Sequence, residues 1–481
     1  MKLKPRLSQY GTTIYTVPKA NGYNKLLLHE FELDLLEQVV KYTYLRAVEL
    51  IDYFVVIRDK NGFSNEDNVR TRQNATKRLA KIKDAGVLKS NEASEYKGHN
   101  LLYKRIFYTF TKRTLEILYS LNRLTDDELA YYTVVLEKNM RFKPPSIHSI
   151  AIAALGTRLD LQLNSKLGKD DFVISKGTTH PLFKNYTDEA DQIFPDLLLE
   201  LPDLNKLLVF EVDGGRQLRD VIASKYFRYK KMLSSDYVKK YNSELQVHVI
   251  FLPIDADFLT DENRSSKSHR IKHLKNCIPS FEKWGSNLNI FTIRYSAIEE
   301  FVNRTITFSE HLSEYGLNAL MNQWIFNLES ALMPLNYKVT VLTEQELLPQ
   351  TKLTAFSPDT VIKLKQVGKK EKHYFVLYMN NGDIRSQQRY LKTIQRLTAI
   401  NESESNNLHI NLLLLYATFH SRKTDVLNDL VASDDLQIFA TSEEEWRELA
   451  EAENMERVVL PLYEQNNKLL SYTLRKENYR L

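Results

Sequence analysis

Leu207-Leu208-Val209-Phe210-Glu211-Val212-Asp213-Gly214-Gly215 is an apolar run that ends in two acids and two glycines. A short apolar run closed by glycine reads as a buried strand of an α/β unit. Glu211 and Asp213 are two residues apart and so project from one face of that strand. A carboxylate in such a strand is costly to bury unless a metal or a cation meets it. Thirteen residues before Val209, Asp196 follows Phe194-Pro195 at the start of a neighbouring strand.

Three carboxylates converging from adjacent strands, Asp196, Glu211 and Asp213, form an oxygen ligand set for a hard divalent cation, Mg2+ or Mn2+. Such a cation activates water and stabilises the charge that develops on a phosphodiester. Lys225, a helix later, is placed to bring a cation to the attacked phosphate. Gln217, in Gly215-Arg216-Gln217, is placed to orient water or ligand. His148 and His180 are candidate accessory ligands, although isolated histidines more often serve structure. The competing reading of Asp196 and Glu211 is a pair of ordinary surface carboxylates at strand ends.

Working outward, residues 146 to 304 and 317 to 450 run through the same order of elements. The first copy has a helix Ser146–Asn164, Asp196 entering a strand, the strand Leu207–Asp213, a helix with Lys225, and strands Val247–Leu252 and Ile290–Ile293. The second has a helix Leu317–Leu332, Ser357-Pro358-Asp359 entering a strand, the strand Tyr374–Met379, a helix with Lys392, and strands Ile410–Leu415 and Ile438–Ala440. Gly215 precedes Lys225 by ten residues, as Gly382 precedes Lys392. Aligned on these glycines, Tyr378 replaces Glu211 and Asn380 replaces Asp213. Asp359 and Lys392 remain, and a lone carboxylate is a poor site for a hard metal. The second copy therefore reads as degenerate.

Ahead of the repeat, apolar residues at helical spacing mark a helix over Glu32–Lys41 and a second over Tyr44–Val56. A third runs from about Asn65 to Ala85, with Gly86 as its stop. Ala75, Leu79 and Ile82 line one side of it, and Arg70, Asn74, Lys77 and Lys81 another, flanked by Arg72 and Arg78. Val87-Leu88, a turn at Lys97-Gly98 and the alternating stretch Leu101–Phe110 read as a β-hairpin. Tyr108–Leu118 closes the unit as a helix. Helices followed by a hairpin wing, with a cationic third helix, suit insertion into the major groove of double-stranded DNA. A winged helix used for protein docking is the alternative.

Bulk properties agree with several domains: 481 residues exceed one ordinary core. Residues 1 to 150 carry 25 Lys and Arg against 17 Asp and Glu, while the whole chain is only +5. The basic excess thus sits at the N-terminal end, with the cationic third helix. One cysteine, Cys277, excludes an internal disulfide and a Cys-rich zinc site; it reads as buried and fits a reducing compartment. No apolar segment suits a signal peptide or a membrane span, so the expected location is the cytoplasm.

Pro195-Asp196 followed by Glu211-Val212-Asp213 resembles the PD-(D/E)XK nuclease superfamily, with Asp213 where the final Lys usually stands and Lys225 as its relocated substitute. A winged helix, then Pro-Asp, then Glu-Val-Asp-Gly-Gly, then Ser224-Lys225 and Tyr229, is similar to the replication-relaxation family, which includes MobC-type plasmid relaxases. This resemblance covers roughly residues 30 to 310. It implies a DNA-nicking or DNA-binding role in transfer or replication of a plasmid or mobile element. The expected architecture is α+β and multidomain: a winged helix-turn-helix over 25–125, a restriction-endonuclease-like domain over 145–310 and a degenerate copy over 315–481. Expected partners are duplex DNA, other relaxosome or replication proteins and a second copy of the chain, with no membrane. A metal-dependent endonuclease or relaxase is the leading expectation, and a non-catalytic DNA-binding regulator or scaffold is the alternative.

Overall fold

In a computed structural model, the described residues are 3, 5–7, 13–19, 23–60, 68–92, 106–138, 145–168, 171–186, 192–214, 219–254, 265–278, 288–307, 314–349, 357–366, 368–402, 408–427, 436–452, 457–458, 460–464 and 474–475. The chain is α+β with several sheets. Among these residues no helix is long and apolar enough to cross a membrane.

The N-terminal unit opens with an antiparallel meander of β1 (Pro5–Leu7), β2 (Thr13–Val17) and β3 (Leu26–His29). Helix α1 (Glu30–Tyr42) starts where the Glu32 carboxylate reaches back to accept the His29 backbone N–H at 2.9 Å. Next come β4 (Tyr44–Arg46), α2 (Ala47–Lys60) and α3 (Asn68–Asp84). The stretch expected to begin a helix at Tyr44 is instead extended for three residues, because it pairs with β6. Helix α3 ends at Gly86, whose φ of +68° an L-residue rarely adopts. β5 (Leu88–Glu92) and β6 (Ile106–Phe110) pair antiparallel, giving a sheet in the order β4-β6-β5. The Lys97-Gly98 turn falls outside the described residues. Tyr108 belongs to β6, and the closing helix α4 covers Lys112–Ser120, followed by α5 (Asp126–Lys138).

The first α/β lobe begins with α6 (Ile147–Asn164), whose Ser146 side chain accepts the Ser149 N–H as an N-cap. β7 (Val173–Ser175), β8 (Leu197–Leu201) and β9 (Lys206–Asp213) form an antiparallel meander, with the short α7 (Pro181–Lys184) between the first two. α8 (Arg219–Leu233) and α9 (Asp236–Tyr241) then cross to β10 (Gln246–Pro253), which lies parallel to β9. α10 (Ser265–Cys277) leads to β11 (Leu288–Thr292), parallel to β10, and α11 (Ile298–Thr307) closes the lobe. Every residue of β9 is buried. Leu208, Phe210 and Val212 enter a core shared with α1, α2, α3 and α6, whereas Leu207 and Val209 pack with Tyr226 and Tyr229 of α8. The N-terminal unit and the first lobe are thus joined by one continuous core rather than by a bare linker.

The second lobe repeats the scheme: α12 (Glu314–Leu332), the meander β12 (Tyr337–Leu342), β13 (Thr360–Gln366) and β14 (Lys372–Tyr378), with α13 (Glu344–Leu347) inside it. α14 (Ile384–Asn401), β15 (Ile410–Tyr416), α15 (Phe419–Thr424), β16 (Ile438–Ser442) and α16 (Glu443–Glu451) follow, and β14, β15 and β16 are parallel. β17 (Arg457–Val458) pairs with β19 (Leu474–Arg475), and β18 (Tyr463–Glu464) adds to the edge at β16. In both lobes the order is helix, three antiparallel strands, crossover helix and two parallel strands.

Among the described residues the lobes touch at several places, including Arg304 to Ser421 at 2.8 Å and Arg385 to the Leu288 carbonyl at 2.9 Å. The Thr292 N–H donates to the Gly382 carbonyl at 2.8 Å. Gly382 has φ +75°, and a Cβ there would lie 2.5 Å from the Thr292 carbonyl oxygen. Lys275 on α10 is buried and its ammonium donates to Val426 O at 2.5 Å, Asp425 Oδ1 at 3.2 Å and Gln387 Oε1 at 3.3 Å, all in the second lobe.

Candidate active site

β8 and β9 pair with Leu197 opposite Phe210, so Asp196, one residue before β8, stands across from Glu211. Asp196 Oδ2 accepts the Val212 N–H at 2.8 Å. It also lies 3.2 Å from His148 Nε2, and the same ring nitrogen is 3.1 Å from the Val212 carbonyl oxygen. His148 is the second residue of α6, which aims it at the end of β9. Its hydrogen bond to Asp196 raises the imidazole pKa against the opposing effect of burial.

Glu211 is 2% exposed. Lys225 Nζ donates to its Oε2 at 2.6 Å, and the Tyr229 hydroxyl donates to its Oε1. Lys225 and Tyr229 are four residues apart on α8, the spacing that puts two side chains on one helix face. Burial pushes the Glu211 carboxyl above its ordinary value; the Lys225 charge pulls it down, and the Asp196 charge adds to the rise. The Tyr229 phenol stays well above its ordinary value, through burial first and the Glu211 charge second.

Asp213 shares the face of Glu211 but is directed elsewhere. Arg270 of α10 donates from Nε to Oδ2 at 2.5 Å and from Nη2 to Oδ1 at 2.9 Å, a two-pronged grip on both oxygens. Asp213, expected as a third metal ligand, is thus engaged by a guanidinium, as Glu211 is by Lys225. Among the described residues no group of three or more His, Cys, Asp and Glu side chains is arranged to hold a metal. What remains is a smaller donor set. Asp196 Oδ2 and the Val212 carbonyl converge on one point, marked by His148 Nε2, with Glu211 across the strand pair. Two carboxylates and a carbonyl suit Mg2+ or Mn2+, which bind to one or two protein carboxylates and take further ligands from water and substrate phosphate.

Gln217 and Gly215 lie outside the described residues. His180 caps α7 through the Leu182 N–H and sits 3.1 Å from Glu200 Oε2, apart from the bonds around Asp196 and Glu211. Cys277 is buried. Arg270 and the Val212 carbonyl are the site groups that the sequence alone does not point to. Arg270 lies 57 residues beyond Asp213 on another element, and its sole signal is Asp213 itself, a buried charge that requires a cation.

In the second lobe Asp359 repeats the backbone contact, its Oδ2 accepting the Tyr378 N–H at 2.7 Å. Thr360 pairs with Val376, so Asp359 stands opposite Leu377. Leu377 therefore occupies the place of Glu211, and Met379 that of Asp213. The alignment on glycines, which puts Tyr378 and Asn380 there, is one residue out, because Gly382 comes three residues after Met379 and Gly215 two after Asp213. Arg389 holds Asp359 Oδ1 at 2.7 Å, and Lys392 is exposed.

On α3, Ala75, Leu79 and Ile82 are buried, while Arg72, Lys77 and Lys81 are exposed and Asn74 is half-buried. Arg72 pairs with Asp52 of α2 at 2.7 Å. Arg78 leaves the cationic set: its Nε meets the buried Glu32 at 2.5 Å and its Nη2 donates to the Leu27 carbonyl, so it ties α3 to β3 and α1. The side chain of Arg70 lies outside the described residues. The chain matches no family model, no curated protein and no solved structure.

Proposed function

We propose that the chain is a divalent-metal-dependent DNA endonuclease of the nicking, relaxase-like kind, acting in transfer or replication of a plasmid or mobile element. The observation that carries this reading is the placement of Asp196 opposite Glu211 with Lys225 2.6 Å from Glu211, at the strand ends of a helix, three-strand, helix, strand unit. Such a unit accords with a restriction-endonuclease-like fold, and the N-terminal three helices with their β5–β6 hairpin accord with a winged helix.

In this reading Asp196, Glu211 and the Val212 carbonyl would hold Mg2+ or Mn2+, which when bound supplies Lewis-acid and water-activating chemistry. Lys225 brings a fixed positive charge to where negative charge grows on the attacked phosphate. Tyr229 keeps the Glu211 carboxylate in one orientation, and His148 does the same for Asp196. Arg270 removes Asp213 from the ligand set and anchors the end of β9. Lys77, Lys81 and Arg72 on α3 supply phosphate contacts, and Asn74 reaches toward base edges. The second lobe, with Leu377 and Met379 in place of the acids, contributes no chemistry of this kind.

A second reading, a DNA-binding regulator or scaffold without catalysis, is favoured by one specific feature: Glu211, Asp213 and Asp359 are all engaged by cations of the chain itself. Supercoiled plasmid incubated with the protein and Mn2+ or Mg2+ separates the two. Open-circle product that disappears in Asp196→Ala and Glu211→Gln, with duplex affinity retained, supports the nuclease. If wild type binds duplex DNA but takes up no Mn2+ by calorimetry and yields no open circle, the regulator reading replaces it.

A further inference from the structure

The second lobe holds a cavity of about 350 Å3 between one face of its sheet and the helices above it. Ile362 and Tyr374, cross-strand neighbours on β13 and β14, form the floor together with Leu413 of β15. Leu332 of α12 and Trp446 of α16 form the roof. These walls are apolar, and the residues themselves are almost wholly shielded from solvent. The size and lining fall within the range of small-molecule sites, which are mostly apolar with a few convergent polar groups.

The polar groups gather at one end. Lys369, Lys370 and Lys372 line the mouth, where the chain turns from β13 into β14 and Gly368 adopts φ +75°. The acid of that turn, Glu371, is directed to Lys363 at 3.7 Å and Lys365 at 3.1 Å on β13. An apolar chamber with several ammonium groups at its opening selects one kind of occupant.

We propose that this cavity binds a small amphipathic anion, an aliphatic or aromatic body that fills the chamber and carries one terminal carboxylate or phosphate at the lysines. The apolar body gains by leaving water, and the head group gains charge-assisted hydrogen bonds. The chemistry at Asp196 and Glu211 does not enter, so this site stands whether or not the chain cleaves DNA. It gives the lobe that lacks the acids a separate task, that of a ligand receptor.

Calorimetry and Trp fluorescence of the full chain with decanoate, decanol, decyltrimethylammonium and vesicles of anionic phospholipid test the proposal. The expected result is saturable one-site binding of decanoate, about tenfold weaker for decanol, which lacks the charged head. Replacing Lys369, Lys370 and Lys372 together with Glu should weaken decanoate by at least as much, and these surface changes leave the core untouched. Leu413→Trp, which fills the chamber, should abolish binding while the thermal midpoint stays near that of wild type. The proposal is overturned if decanoate does not saturate, if decyltrimethylammonium binds as well as decanoate, or if the lysine variant binds as wild type does. Binding to vesicles without binding to free decanoate also overturns it, in favour of a membrane surface.

Discussion

Lys225→Met keeps most of the aliphatic stem of Lys225 on α8 but removes the ammonium 2.6 Å from Glu211 Oε2. Removing one partner of a buried pair costs about 3–5 kcal/mol. The Lys225 side chain keeps 26% of its exposure, so water screens part of the interaction, and Tyr229 still donates to Glu211. The expected loss is then about 2 kcal/mol at about pH 8. Its pH dependence is the more telling part. Burial already lifts the Glu211 carboxyl above its ordinary 4.5, so the folded chain keeps that proton to higher pH than the unfolded chain does. For a group raised in this way, folded stability is greatest below the unfolded value and falls as pH rises through the folded one. Losing the Lys225 charge raises the folded value further and widens that window. Wild type and variant should therefore converge near the ordinary carboxyl value of 4.5 and separate by about pH 8, as read from urea unfolding midpoints of the metal-free proteins. An equal deficit at both ends of that range, or no deficit at its alkaline end, would refute the assignment of Glu211 as a buried carboxylate held ionised by Lys225.

On α3, Lys77→Glu with Lys81→Glu should weaken duplex binding and flatten its salt dependence by a slope of about two, one for each phosphate that the two lysines neutralise; titration at several salt concentrations reads both. Gly382→Ala places a methyl group against the Thr292 carbonyl at φ +75°, and should cost about 1–3 kcal/mol, seen as a lower thermal midpoint and faster hydrogen exchange at Thr292. Asp359→Asn should leave any plasmid nicking at the wild-type rate, because Leu377 and Met379 give that lobe no second acid; a large loss in a folded variant would show that the second lobe takes part in the chemistry.

Much of the architecture is legible in the chain because its strongest signals are long. The run Leu207–Asp213 and its counterpart Tyr374–Met379 each lie within one residue or two of an observed strand, and α3 shows its buried and exposed faces by spacing alone. Short strands are not legible: β4 covers three residues and exists by pairing with β6, a contact across more than sixty residues of chain. Asp196 and Glu211 stand out as charges in apolar surroundings, whereas the partners that decide what those charges can do come from distant elements. Arg270 turns Asp213 into an anchor, and Arg78 directs its charge to Glu32 rather than to the surface. Neither outcome has a local mark, since a guanidinium on a helix looks the same in sequence whether it faces inward or out. The alignment of the two copies slips for a similar reason: a glycine fixes where a turn is, not how many residues separate it from the strand.

Arg270 and Lys275 sit on the same helix, five residues and about 7.5 Å of rise apart. One grips the last residue of β9 and the other is sunk in the second lobe among Asp425, Gln387 and the Val426 carbonyl. α10 is in this sense a strut pinned at both ends, and the two lobes are not separable parts. A truncation that ends the chain after the first lobe would leave the Lys275 ammonium without its three acceptors and loosen the helix that steadies Asp213, so a fragment of this kind reports on a slackened strand end rather than on the first lobe as it stands in the whole chain.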